Sequence, residues 1–258
     1  MSIPAVILAG GLGTRLREET DYKPKPMVEI GGKPILWHLM KNFSTQSINE
    51  FVVCSGYKSE YIKDYFLNYE SRNSDITLSI GQNSSDSNNH FPIAEKWKVT
   101  IADTGLITPT GGRVNKIKSY VENRRFIATY GDGLADVDIS ALLKFHESHG
   151  KLATVTTFQP YSRFGLMEIE SNGAVTNFRE KPQIDDWINI GFFVFEPQIF
   201  DYLNDDSTLE QEPLYELAKD GELFAFKHNG FWEPMDTFRE YTHLNELWEK
   251  NKAKWKNW

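Results

Sequence analysis

Three short apolar runs, Ala5-Val-Ile-Leu8, Phe51-Val-Val-Cys54 and Phe126-Ile-Ala-Thr129, are rich in β-branched and aromatic residues and do not alternate with polar ones. Runs of this kind predict central strands covered on both faces. Between them the spacing lengthens to that of amphipathic helices. Pro34 can open one that runs to Phe43. Ser59, with Tyr61, Ile62, Tyr65 and Phe66, supplies the cap and spacing of a second, and Ile139–His149 reads as a third. This alternation predicts a mostly parallel sheet flanked by helices, whose right-handed crossovers leave the functional loops at the C-terminal ends of the strands. The chemistry should then follow Leu8 and Tyr130.

After Lys151 the pattern tightens into strands at Ala153–Phe158, 165–169, 174–178 and 188–195, with turns at Asn172-Gly173 and Glu196-Pro197. These predict a small β-rich lobe folded onto the same sheet. A helix is expected over about 237–250, followed by a tail whose Trp255 and Trp258 suit core packing and subunit contact equally. The expected organisation is one domain over 1–258, with a nucleotide-binding half, 1–150, and a second half, 151–258, that holds the lobe and the last helix. Residues 81–90, rich in Ser and Asn, are expected to form an exposed, mobile loop.

A chain of 258 residues suffices for one large α/β domain. Its net charge of -8 argues against a nucleic-acid or anionic-membrane partner, so any phosphate must be held by local groups. Cys54 is the single cysteine, which excludes an intramolecular disulfide and a cysteine zinc cluster and fits a reducing, cytoplasmic setting. The apolar stretch from Ile3 to Ala9 is too short for a signal-peptide core or a membrane span and reads as a buried strand.

The first strand leads at once into Ala9-Gly10-Gly11-Leu12-Gly13-Thr14-Arg15. Glycines there let backbone N–H groups approach a phosphate or a base without obstruction by Cβ. A dinucleotide fingerprint fails, because Leu16 stands where a third small residue is needed and no acidic residue ends the second strand at Cys54. A Walker-type loop fails as well, since no Gly-Lys-Ser or Gly-Lys-Thr follows. Lys23-Pro24-Lys25-Pro26 is a stiff segment, expected to be extended, that can present a cation with little ordering cost. A tight turn and a solvated basic turn are the plain structural alternatives for these two segments.

Taken together the motifs point to a known family. Leu8-Ala-Gly-Gly-Leu-Gly-Thr-Arg15 followed by Lys23-Pro-Lys-Pro-Met27 resembles the sugar-1-phosphate nucleotidyltransferases. The longer run through Val28-Glu-Ile-Gly-Gly-Lys-Pro-Ile-Leu-Trp-His38 is similar to the glucose-1-phosphate cytidylyltransferases within that family. Thr110-Gly-Gly-Arg113, Tyr130-Gly-Asp-Gly133, Arg163-Phe-Gly165, Glu180-Lys-Pro182 and Gly230-Phe-Trp-x-Pro-Met-Asp236 extend the match over nearly the whole chain. The resemblance implies a Rossmann-like nucleotidyltransferase fold of the α/β class, with a mostly parallel mixed sheet and the β-rich lobe as the sugar-binding part. It also implies CTP and glucose 1-phosphate as substrates, CDP-glucose and pyrophosphate as products, Mg²⁺ as cofactor and a homo-oligomer.

The reaction sets an ionised sugar phosphate against the α-phosphorus of another polyanion, so charge neutralisation and in-line positioning are the main tasks. No protein nucleophile is required, and the six histidines are given no catalytic role. Asp132, between two glycines after a central strand, suits a metal carboxylate. Asp236 would join it through the resemblance to hold one Mg²⁺, although by itself it reads equally as a cap of the last helix. Arg15 and Lys25 are implied as the catalytic cations, with Lys23 serving the loop's structure. The nucleotide is expected on Leu8, Ala9, Gly10, Gly11, Leu12, Gly13, Thr14, Arg15, Lys25, Thr108, Arg113 and Gly131, with Gly112 allowing close approach to base or ribose. Arg113 has the alternative reading of an exposed arginine at the start of a helix. Glu180 and Lys181 would bind sugar hydroxyls and sugar phosphate, with Asn189 facing the sugar.

Two departures bear on the acceptor. Asn189-Ile190-Gly191 stands where the family has Asn-Gly-Gly, and Leu166-Met167 are bulkier than the usual Ala-Leu; both are expected to reshape the sugar pocket. Open alternatives are another phosphorylated acceptor, dTTP or UTP as donor, and a regulatory module that kept the cleft without catalysis. The last is disfavoured by the intact Arg15, Lys25, Asp132 and Asp236.

Overall fold

The first apolar run becomes the middle of the sheet. Ala5–Leu8 pairs in parallel with Glu50–Ser55 on one side and Phe126–Tyr130 on the other, and Lys98–Asp103 adds a further parallel strand beyond Glu50–Ser55. The computed structural model describes residues 3–77, 88–89, 95–121 and 123–258. Successive residues of the central strands enter opposite halves of the core, as strand geometry requires. Ala5, Ile7, Phe51, Val53 and Ile127 pack with the helix Ile35–Thr45. Val6, Leu8, Val52, Cys54, Phe126 and Ala128 pack beneath Val114, Ile199 and Leu217 on the other face. Burial on both faces explains why these runs lack polar alternation. Burial also pushes the Cys54 thiol up to about 12, which leaves it a core residue.

The second half adds to the same sheet. Phe193–Phe195 runs antiparallel between Phe126–Tyr130 and Ala153–Phe158, and Leu223–Lys227 pairs in parallel with Ala153–Phe158. The expected strand over 188–195 is broken into Ile188–Asn189 and Phe193–Phe195. Gly191 and Phe192 adopt φ of 82° and 50°, left-handed conformations that no strand residue holds. The hairpin of Leu166–Ile169 and Val175–Arg179 stands off the main sheet. Met167 opposite Phe178 and Ile169 opposite Val175 share one face of it, and all four are more than half exposed. The Ser- and Asn-rich loop expected at 81–90 lies outside the described residues apart from the paired Asn88–Asn89.

The last helix, Phe238–Glu249, starts at a capping box: Glu240 N donates to Thr237 Oγ1 while Glu240 Oε2 accepts from Thr237 N. The tail resolves in favour of core. Trp255 is fully buried, its carbonyl accepts from Asn42 Nδ2 at 2.9 Å, and its ring packs on Phe231. Its indole N–H donates to Nδ1 of the buried His38, which assigns the ring proton to Nε2 and lets Nε2 donate to the Ile30 carbonyl at 2.8 Å. No helix among the described residues is long and apolar enough to cross a membrane.

Burial lowers the pKa of His38 to about 4. The unfolded chain therefore binds a proton near pH 6.5 that the folded chain refuses until about pH 4. This contribution is fully present above pH 6.5 and is lost as the pH falls toward 4, amounting to about 3 kcal/mol. Urea unfolding of the wild type and His38→Gln at pH 7.5 and at about pH 4.5 should show a shallower loss of stability in the variant. Parallel losses in the two proteins would contradict the assignment.

Candidate active site

The loop after Ala5–Leu8 and the turn after Phe126–Tyr130 meet because their strands are neighbours. Gly131 N donates to the Leu8 carbonyl at 2.9 Å, and a Cβ on Gly131 would lie 2.9 Å from that same oxygen, so only glycine fits. Ala9 N donates to Cys54 O and Tyr57 N to Gly10 O, fixing the path of the loop. Gly13 turns it at φ 64°. The result is a cavity of about 410 Å³ lined by Leu8 to Arg15, Lys25, Thr108, Arg113, Tyr130, Gly131 and Asp132. A Cβ on Gly11 would meet no atom within 4 Å, so this glycine opens toward the cavity rather than serving the packing.

Asp132 and Asp236 are brought into one cleft by backbone pairing. Trp232–Pro234 runs antiparallel to Gly133–Ala135, and Met235 N donates to the Asp132 carbonyl at 2.7 Å. Thr237 and Glu240 cap the last helix, and the Asp236 carboxylate points instead to two cations. Lys25 Nζ lies 2.7 Å from Asp132 Oδ2 and 2.6 Å from Asp236 Oδ1, while Arg15 Nη1 lies 2.9 Å from Asp236 Oδ2. The segment around Lys25 is not extended throughout. Pro24 is, but Lys25–Met27 forms a 3-10 turn that drives the lysine inward until 7% of it is exposed. Lys23 pairs loosely with Glu19 at 3.8 Å, in keeping with a structural role.

Two carboxylates supply hard oxygen donors from separate backbone segments, and Mg²⁺ is commonly held by one or two carboxylates with phosphate oxygens and water completing its shell. The residues fit that ion. No group of three or more His, Cys, Asp or Glu among the described residues could hold a metal alone, so phosphate would have to complete the site.

Arg113 lines the cavity and is not the exposed arginine of the alternative reading. Only 4% exposed, it extends beneath the glycine loop and donates to the carbonyls of Ser55, Gly105, Gly10 and Leu106 and to Thr104 Oγ1. Burial lowers its pKa from the usual guanidinium value. A Cβ on Gly10 would fall 2.0 Å from Arg113 Nη1, so Gly10 makes room for the guanidinium. Gly112 likewise approaches protein rather than ligand: a Cβ there would lie 2.1 Å from the Asp205 carbonyl, and its N–H donates to Ser207 O. Thr108 lines the cavity and donates to the Thr104 carbonyl at 2.6 Å.

Among the residues expected to face the sugar, Asn189 donates through Nδ2 to Tyr130 Oη at 3.1 Å and accepts from Gly191 N through Oδ1. Glu180 and Lys181 sit farther out, both side chains about 60% exposed and 3.6 Å apart, and they do not line the nucleotide cavity. Ile190 is 3% exposed and packs in the core, so it does not shape a pocket wall as expected; Leu166 and Met167 lie on the exposed hairpin. Sequence reasoning passed over Glu210. Its carboxylate accepts from Tyr130 Oη and from Thr110 Oγ1, each at 2.6 Å, and with burial it pushes the Tyr130 phenol far above its usual range. Nothing in the local sequence marks an exposed glutamate between two helices as a partner of the central strand.

The comparisons agree with this geometry. The model of the nucleotidyl transferase family matches residues 4–251. Glucose-1-phosphate cytidylyltransferase of Salmonella typhi is 53% identical over 257 residues, covering 98% of this chain and 99% of that protein. A probable glucose-1-phosphate cytidylyltransferase of Bacillus subtilis (strain 168) is 44% identical over 256 residues, with the same shares covered. Among solved structures, HddC from Yersinia pseudotuberculosis superimposes with a TM-score of 0.68 at 26% identity, covering 95% of this chain and 99% of that one. UDP-glucose pyrophosphorylase complexed with UDP-glucose gives 0.70 at 18% identity, covering 97% of this chain and 100% of that one, a likeness of fold alone. A glycine-lined cavity beside converging cations and carboxylates, on this sheet and with this match, makes the chain a member of the nucleotidyl transferase family.

Proposed function

We propose that the enzyme transfers the cytidylyl group of CTP to α-D-glucose 1-phosphate, forming CDP-glucose and releasing pyrophosphate. The observation that carries this reading is the meeting of Lys25, Arg15, Asp132 and Asp236 at the edge of the glycine-lined cavity, in a chain 53% identical to a protein named for that activity. The glycine loop receives the nucleotide, and Lys25 and Arg15 carry positive charge to its phosphates. A phosphate oxygen of the sugar attacks the α-phosphorus, the bond to the bridging β-oxygen breaks, and the electron pair leaves with pyrophosphate. Asp132 and Asp236 would hold Mg²⁺, which offsets charge on the phosphates when bound.

Glu180, Lys181 and Asn189 form the acceptor side in this reading, with Asn189 held by Tyr130 at the cavity wall. Burial of Ile190 in the core supports glucose 1-phosphate as the acceptor. Arg113 supports the nucleotide site from beneath by fixing the loop. The reading includes a cytoplasmic setting and a homo-oligomer, the latter supported by the apolar hairpin face of Met167, Ile169, Val175 and Phe178, which a second copy of the chain would cover.

Incubation with Mg²⁺, glucose 1-phosphate and each of CTP, UTP, dTTP, ATP and GTP should give pyrophosphate and a nucleotide sugar efficiently with CTP alone. Equal rates with dTTP or UTP would overturn the choice of donor. Asp132→Asn should fold normally by circular dichroism yet lose about two to three orders of magnitude in kcat; near-normal turnover would remove Asp132 from the metal site. In light scattering, Phe178→Glu should lower the assembled mass while wild type stays oligomeric, and an unchanged mass would place the subunit contact elsewhere.

A further inference from the structure

The 2.7 and 2.6 Å contacts of Lys25 Nζ put its ammonium in the gap between Asp132 and Asp236. That is the gap which the proposed function gives to a divalent cation, and this inference rests on that reading. A dication bonded to both carboxylates at about 2.0 to 2.1 Å would lie in contact with an ammonium held there. Like charges at such a distance exclude one another, so the lysine and the metal compete for one site. The ammonium is no loose surface group that could drift away at little cost. Lys25 is 7% exposed, its backbone is bounded by Pro24 and Pro26, and Met27 N and Val28 N close the turn on Pro24 O and Lys25 O. Arg15 holds the remaining Asp236 oxygen, Oδ2, at 2.9 Å, so the two carboxylates are matched by two protein cations. What can draw Lys25 off is anionic charge on the other side of its Nζ, in the cavity that Lys25 itself lines.

We infer that Lys25 is an internal counterion that guards the metal site: it excludes free divalent cations from the bare protein and yields the carboxylates only when a triphosphate enters the cavity and takes its ammonium. Metal loading and delivery of Lys25 to the phosphates are then one event. The consequence is that metal joins with the nucleotide rather than before it, and that Lys25 is a positioning residue for the metal as well as a phosphate ligand.

Mn²⁺ serves as the probe, with free ion followed by electron paramagnetic resonance in the absence of nucleotide. Wild type should bind weakly at this site. Lys25→Met should bind at least tenfold more tightly, about 1.4 kcal/mol, although its turnover collapses, and Lys25→Arg should bind as weakly as wild type. The gain in Lys25→Met should vanish when Asp132→Asn is added. Circular dichroism identifies a variant that has not folded, in which case Lys25→Gln carries the comparison. If wild type and Lys25→Met bind equally, and Asp132→Asn abolishes binding in both, the metal site stands and the guard is overturned. If neither binds Mn²⁺ and turnover with CTP needs no divalent cation, the metal reading fails and the guard fails with it.

Discussion

One buried ammonium joins three parts of this chain that lie far apart in sequence. Lys25 contacts carboxylates 107 and 211 residues away, one after a central strand and one before the last helix. An unpaired carboxylate beside another, or a lysine buried alone, would be costly, and together the three groups offset one another. The rest of the architecture holds that arrangement in place. The parallel pair of Ala5–Leu8 and Phe126–Tyr130 sets the glycine loop beside Asp132, and the short pairing of Gly133–Ala135 with Trp232–Pro234 brings Asp236 within reach.

Around that centre several polar groups hold other parts of the protein in position. Arg113 lies under the loop and ties five acceptors from three segments, which fixes the path of the loop. Glu210 ties Tyr130 to Thr110, and Tyr130 in turn receives Asn189, so one phenol links three segments at the cavity wall. Glu240 does two tasks: Oε2 closes the capping box of the last helix, and Oε1 accepts from Arg163 at 2.6 Å. Preorganisation of this kind is what charge stabilisation at a phosphate requires, because donors already in place need no reorganisation during the reaction.

Much of this was legible before the structure. Apolar runs at Ala5–Leu8, 51–54 and 126–129 marked the central strands because residues buried on both faces leave no alternation to misread, and the segments after Leu8 and Tyr130 line one cavity. Lys98–Asp103 went unread because a half-exposed edge strand carries a mixed pattern. The break at Gly191 and Phe192 was hidden by an apolar run that looks continuous, since left-handed backbone at a phenylalanine is imposed by tertiary packing and has no sequence signature. Gly112 was expected to allow close approach to base or ribose, and Ile190 to reshape the sugar pocket; motif position does not reveal whether a residue packs toward the cavity or into the protein. Both pack against protein, Gly112 on the Asp205 carbonyl and Ile190 in the core.

The central claim is that nucleotide phosphates enter the glycine-lined cavity and meet a metal between Asp132 and Asp236. A crystal structure with Mg²⁺ and a non-hydrolysable CTP analogue tests it most directly. The account predicts the triphosphate along Gly10 to Arg15, the metal bonded to both aspartates and to phosphate oxygen, and Lys25 Nζ moved from the carboxylates to the phosphates. A nucleotide bound elsewhere, or a metal bound with Lys25 still bridging Asp132 and Asp236, would contradict it.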